Sequence, residues 1–223
     1  MFDLFYPNTC AICGQIVPEG VVVCPDCLHR LRRTEQAFMR GNSTEDIFRG
    51  APKFVRGGVF FFFEHGSAVH NAIHRMKYGR FANPQIAYAL AKEAALDFMQ
   101  SDFFDGIDAF MPVPLHPRRF RERGFNQSEW ICKALSDMTG IPMDTTHLYR
   151  VRNNEHQARM TEQERQHNVT GIFELRYPED LYRKHIMLVD DIITTGATLR
   201  SCMEALRPAR GHRVSVFGLG KAN

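Results

Sequence analysis

The chain has 223 residues, 44% of them hydrophobic and 24% charged, with a net charge of +3. That is the balance of a soluble globular protein with room for one good-sized α/β domain and a small appendage, and it does not by itself announce nucleic-acid binding. No apolar run approaches the ~20 residues needed to cross a membrane, and the opening stretch MFDLFYPNTC lacks the basic and apolar regions of a secretory signal, so a cytoplasmic protein without membrane insertion is expected.

The first chemical signal is Cys10-Ala-Ile-Cys13 followed by Cys24-Pro-Asp-Cys27. Two C-x-x-C turns offer four thiolates, which suits tetrahedral Zn²⁺ better than disulfides, iron or a redox pair. Four protein ligands leave no open position, so the metal is expected to be structural. The segment is too short for a core of its own, and zinc would supply its folding energy. Cys132 and Cys202 each lie alone in an apolar helical pattern and read as core.

Residues 1–40 are therefore read as a zinc knuckle with a short helix over 28–37, and 41–56, rich in polar residues with Gly and Pro, as a linker. The main domain would run over 57–223. It opens with GGVFFFF at 57–63, a strand buried on both faces, with an exposed aromatic platform as the alternative. A helix over 67–78 ends at Gly79, and His70 and His74 on it read as solvated. Asn83 and Pro84 then mark the start of a helix over 85–100, with Ile86, Leu90, Ala94 and Phe98 on one face.

A second strand, 107–113, leads into a loop in which four arginines fall within residues 118–123. Arginine presents a planar fork of donors that fits phosphate oxygens, so Arg121 and Arg123 are candidate phosphate contacts, against the bland reading of a solvated charged face. Asn126 would cap the next helix and Gly140 close it. Beyond a short strand at 148–152, the stretch 153–168 is polar with little apolar periodicity, and a strand returns at 172–175.

The most informative stretch is IMLVDDIITTGAT, residues 186–198. It reads as buried strand, paired acids Asp190 and Asp191, a small-residue loop Thr194-Thr195-Gly196-Ala197-Thr198, and a helix start. A helix N-terminus has unpaired N–H groups and attracts anions, and Gly196 lets the backbone approach closely. That effect is worth only about 0.3–1 kcal/mol. A micromolar ligand needs about −8 kcal/mol, so hydroxyls and a metal must help. The two acids could hold sugar hydroxyls or a hydrated Mg²⁺. The last strand is expected at 213–219.

LVDDIITTGAT resembles the phosphoribosyl-pyrophosphate (PRPP) signature of type I phosphoribosyltransferases. PVPLHPRRFRERGFNQ, together with the cysteine pairs, resembles the ComF family of ComFC-like and GntX-like proteins. The likeness spans almost the whole chain. It implies an α/β fold, type I phosphoribosyltransferase-like, with a mostly parallel sheet flanked by helices, preceded by a small four-cysteine zinc knuckle. The ligand would lie at the strands' C-terminal ends. It implies that Asp190 and Asp191 contact the ribose hydroxyls, that Thr194 to Thr198 cradle the 5′-phosphate, and that Mg²⁺ accompanies PRPP. Arg121, Arg123, Gly124 and Lys77 would meet pyrophosphate or nucleic acid. Gln157 and Arg165, with Asn168, match a flexible catalytic loop. Asn154, where the pattern has threonine, keeps an ordinary surface excursion open there.

Three functions follow from the resemblance. One is phosphoribosyl transfer to an unread acceptor with pyrophosphate release. Another is a non-catalytic competence protein that binds single-stranded DNA during uptake, alongside other competence-machinery proteins. The third is a PRPP-sensing regulator.

Overall fold

A computed structural model describes residues 7–63, 66, 67, 70, 71, 73, 76, 83–152 and 171–222. Among these residues five strands form the main sheet: β1 (Arg32–Arg33), β2 (Phe54–Phe63), β3 (Ala109–Pro112), β6 (His185–Ile193) and β7 (Arg213–Ala222), in the spatial order β1-β2-β7-β6-β3. β2 with β7, β7 with β6, and β6 with β3 are parallel; only the short β1 runs antiparallel to its neighbour. β4 (Leu148–Arg150) and β5 (Phe173–Leu175) form a separate antiparallel ribbon. The fold is the expected mixed α/β class with a mostly parallel sheet.

The apolar run at 186–189 is explained by burial on both faces. Ile186 and Leu188 pack with Val59, Met111, Val214 and Val216 in one layer. Met187 and Val189 pack with Phe60, Phe110, Phe217 and Leu219 in the other. Such side chains contribute about 1.5–3 kcal/mol each when fully buried. The second layer is covered by α3 (Gln85–Phe98) and α5 (Gln127–Thr139), the first by α6 (Ala197–Ala205) and α2 (Ser43–Phe48). Cys132 and Cys202 are core residues, as expected, and burial pushes both thiols well up.

α3 forms because alanine and leucine favour a helix and every fourth residue is apolar. Ile86, Leu90, Ala94 and Phe98 are all buried. Its start is fixed by Asn83, whose side chain accepts from the Gln85 N–H at 2.9 Å. Of the helix expected over 67–78, His70, Asn71, Ile73 and Met76 are helical, and Ile73 and Met76 are buried. His74, Lys77 and Gly79 lie outside the described residues, as do Asn154, Gln157, Arg165 and Asn168.

Four expectations are corrected. The helix expected over 28–37 is α1 (Pro25–His29), begun by Pro25 at its first position, and the chain then pairs as β1 with Phe61 and Phe62. The linker over 41–56 instead contains α2. Asn42 accepts from the N–H groups of Thr44 and Glu45 at 2.9 and 3.0 Å, and Phe48 is fully buried. The arginine loop winds into a helix, α4 (Pro117–Arg123), capped by the His116 side chain and ended by Gly124 at φ 80°. Asp190 and Asp191 lie within β6 rather than beyond its end.

Candidate functional site

The four knuckle sulfurs lie within 4.8 Å of one another. Cys13 Sγ and Cys24 Sγ are 3.8 Å apart, roughly the edge of a tetrahedron with Zn–S bonds of about 2.3 Å. Backbone N–H groups of Ile12 and Cys24 donate to Cys10 Sγ at 3.4 and 3.3 Å. Burial raises the Cys10 thiol, but the N–H groups of Cys24, Cys13 and Ile12 together outweigh it and pull its pKa down to about 6. Burial dominates at Cys27 and pushes it up, and a metal ion would reverse that by binding the thiolate. The donor set fits a structural zinc. Ile12, Val17 and Val23 make a small apolar cluster around it, and Ala89 of α3 packs against that cluster. The knuckle thus has a minimal core, contrary to expectation, and borrows part of it from the main domain.

A second site lies where β3 and β6 end side by side. Asp190, Asp191 and Thr198 line a cleft of about 160 Å³ together with Arg119, Arg123, Asn126, Gln127, Ser128 and Arg150. Pro112 of β3 pairs with Val189 of β6, so the chain leaving β3 passes directly beside the acids. Asn126 holds that passage: its side chain donates to the Val113 carbonyl at 3.1 Å and accepts from the Ser128 N–H at 3.1 Å. Ser128 at the start of α5 then reaches Asp190 Oδ1 at 3.4 Å. Asp190 Oδ1 also accepts the Asp191 N–H at 2.9 Å, and Asp191 Oδ1 the Ile192 N–H at 2.7 Å. Asp191 is 9% exposed, yet it lines the cleft.

The loop after the acids is shaped by Gly196, which has φ 71° and precedes α6. A side chain there would meet Ile47 Cγ2 at 2.5 Å and the Phe48 ring at 2.8 Å, so α2 packs directly against the glycine. Arg200 ties the two together by donating to the Ile47 carbonyl. Thr194, Thr195 and Ala197 are exposed, and Thr198 reaches the cleft.

The arginines divide differently from expectation. Arg123 lines the cleft and donates to Gln127 Oε1 at 3.3 Å. Arg121 is exposed on α4 and Gly124 ends that helix, and neither lines the cleft. Arg119 and Arg150 do line it, and neither was singled out from the sequence. Arg119 belongs to the arginine run and was within reach of the reading. Arg150 arrives from β4 and carries no local signal. Burial, then the nearby Arg119 charge, hold the Arg150 guanidinium below its usual range. Gln127 is 2% exposed, and its Nε2 has no hydrogen-bond partner among the described residues. The cleft thus joins two carboxylates, three guanidiniums and a buried amide donor. It can hold a ligand that is anionic at one end and rich in hydroxyls at the other.

Comparison with known proteins bears on the zinc knuckle and on the ComF resemblance. Residues 1–38 match the double zinc ribbon domain family. The chain is 27% identical over 200 residues to "DNA utilization protein YhgH" of Salmonella typhimurium, covering 88% of this chain and 83% of that one. It is 32% identical over 116 residues to "Competence protein F" of Haemophilus influenzae, covering 52% and 51%. It is 26% identical over 215 residues to "Competence protein ComFC" of Bacillus subtilis, covering 95% and 77%. Two solved structures are similar at lower scores. One is a glutamine PRPP amidotransferase from B. subtilis, with TM-score 0.41, 20% identity, and coverage of 63% of this chain and 30% of that one. The other is the hypoxanthine phosphoribosyl transferase of Trypanosoma cruzi, with TM-score 0.38, 15% identity, and coverage of 60% and 64%. The chain spans less than two thirds of the length of either. Its curated relatives are competence and DNA-utilization proteins, the ComF kind to which the motifs pointed.

Proposed function

We propose that the cleft at the ends of β3 and β6 binds PRPP with Mg²⁺ and that the protein transfers the phosphoribosyl group to an acceptor, releasing pyrophosphate. The observation that carries this reading is the convergence, in one cleft, of Asp190, Asp191 and Thr198 with Arg119, Arg123 and Arg150. Asp190 and Asp191 would accept from the ribose hydroxyls. The loop from Thr194 to Thr198, with the α6 N-terminus behind it, would receive the 5′-phosphate. The arginines would face the pyrophosphate as it gains negative charge on leaving, where fixed donors stabilise the transition state more than the ground state.

The carboxylates at the cleft are hard oxygen donors of the kind Mg²⁺ takes, and Mg²⁺ would supply further neutralisation of the pyrophosphate. Two parts of the reading rest on residues outside the described ones. These are Lys77 as an anion contact, and Gln157 and Arg165 as a loop closing over the ligand.

The test is calorimetric titration of Mg-PRPP into the zinc-loaded protein beside Asp191→Asn. Saturable binding in the former and at least a tenfold loss in the latter are expected. An intact protein that takes up no Mg-PRPP would refute the reading. Pyrophosphate release on adding acceptors then separates an enzyme from a PRPP-sensing regulator.

A second reading is favoured by the relatives' printed names and by the exposed face of α4. Arg118, Arg121 and Phe120 lie there, the last 44% exposed. In it the protein serves DNA uptake in the cytoplasm alongside competence-machinery proteins, and this face tracks a single strand by charge and stacking. Such binding would fall steeply as salt rises. No helix among the described residues is long and apolar enough to cross a membrane.

A further inference from the structure

The four knuckle cysteines are not equivalent. Cys10, Cys24 and Cys27 are 2%, 7% and 9% exposed and belong to the apolar cluster of Ile12, Val17 and Val23. Cys13 is exposed and stands outside that cluster. A zinc ion held here has three sheltered ligands and one that meets solvent.

The sulfurs also differ in their hydrogen bonds. Cys10 Sγ accepts the N–H groups of Ile12 and Cys24. A sulfur whose negative charge is stabilised in this way is a poorer nucleophile. No backbone N–H donates to Cys13 Sγ among the described residues; Gln15 Oε1 lies 3.7 Å from it and Cys24 Sγ 3.8 Å. An exposed thiolate without such donors is the one an oxidant reaches and reacts with first. Cys24, moreover, belongs to the other C-x-x-C turn. A bond between Cys13 and Cys24 takes one ligand from each turn and leaves only Cys10 and Cys27, two of the four that a closed tetrahedral site needs.

We propose that Cys13 is a site of peroxide oxidation, that Cys24 converts the oxidised sulfur to a disulfide, and that the knuckle thereby releases its zinc. In the first step the Cys13 thiolate attacks one oxygen of hydrogen peroxide. The O–O bond breaks, hydroxide leaves, and Cys13 becomes a sulfenic acid. In the second the Cys24 thiolate attacks that sulfur. The S–O bond breaks, a second hydroxide leaves, and the S–S bond forms. Two electrons pass from the sulfurs to the peroxide. The inference rests on the knuckle holding zinc and is independent of the phosphoribosyl reading.

The release reaches beyond the knuckle. Ala11, Val22 and Leu28 pack both against the knuckle cluster and against the core layer that α3 covers, and Ala89 of α3 packs against the knuckle. Metal binding supplies the folding energy of so short a segment, so losing zinc loosens its hold on α3.

The test uses the full, zinc-loaded chain treated with hydrogen peroxide. Released zinc is read with a chromogenic chelator, thiols are counted after denaturation, and linked cysteines are located by peptide mass spectrometry. One zinc per chain is expected to leave as the six thiols fall to four, with Cys13 and Cys24 joined and the fully buried Cys132 and Cys202 still reduced. A thiol reductant with added zinc should restore the parent state. Cys13→His keeps a zinc ligand at the exposed position without a thiolate. It should bind zinc in the same stoichiometry and lose it to peroxide at least tenfold more slowly. A measurement that needs no variant accompanies it: during brief exposure of the parent, a diketone label for sulfenic acid should mark Cys13 before any other cysteine. Zinc retained through a large excess of peroxide would overturn the proposal. So would first labelling at another cysteine, a disulfide other than Cys13 to Cys24, or release from Cys13→His at the parent rate.

Discussion

The zinc knuckle and the acid-lined cleft are both marked by short motifs, but they are built in opposite ways. All four sulfurs of the knuckle come from 18 consecutive residues, Cys10 to Cys27. The cleft draws Arg119, Arg150 and Asp190 from three separate elements and depends on the sheet to bring β3 and β6 together. A site made by one stretch can be written in spacing. A site made by topology is only partly written there, and its remaining members are chosen by where distant elements meet.

The largest effect that tests this contrast is loss of the knuckle. Structural zinc supplies about 10–16 kcal/mol of apparent binding energy in small zinc peptides. Cys27→Ser should therefore abolish zinc uptake, measured by metal stoichiometry. The main sheet has its own two-sided core and should keep its circular dichroism and Mg-PRPP binding. Loss of both would show that the two regions fold as one.

Gly196→Ala is next. Its Cβ would lie 2.5 Å from Ile47 at a φ of 71°, a combination expected to cost about 1–3 kcal/mol, read as a lower denaturation midpoint. The effect would localise to the cleft region and leave zinc content unchanged.

Arg150→Leu should be mildest. It removes a guanidinium without disturbing a salt bridge among the described residues, and about a tenfold loss of Mg-PRPP affinity, about 1.4 kcal/mol, is expected. An unchanged affinity would remove the β4 ribbon from the cleft's chemistry.

Much of the fold was legible where local chemistry and tertiary packing agree. The strand at 186–189, the alanine-rich α3 and the Asn126 and Gly140 ends of α5 all fall where periodicity and caps put them. α2 was missed although its signal was present. Asn42 followed by Glu45 is a cap pair, and Glu45 also accepts from the Gly41 N–H at 2.6 Å, but the surrounding Gly and Pro read as a linker. α4 was missed because its start is His116-Pro117, with an imidazole rather than a hydroxyl or carboxylate as the cap. In the site, the acids and Thr198 were legible from the motif. Arg150 and Gln127 were not, because nothing within a few residues of them says which cleft they will face.

The packing of α2 bears on how this protein can be taken apart. Gln36 is bonded to the Val59 N–H at 3.1 Å and to Ser43 at 3.2 Å, Asn42 to the Gly57 carbonyl at 2.9 Å, and Lys221 to the Ser43 carbonyl at 3.0 Å. The 36–48 segment is thus stitched to the first and last strands of the main domain before it reaches Gly196. A fragment cut at residue 50, where the composition looks loosest, would strip away the Phe48 side chain and bare the underside of the 194–198 loop. A cut between α1 and β1, ahead of residue 32, instead keeps α2, and with it Phe48 and the floor of the cleft loop, joined to the main sheet.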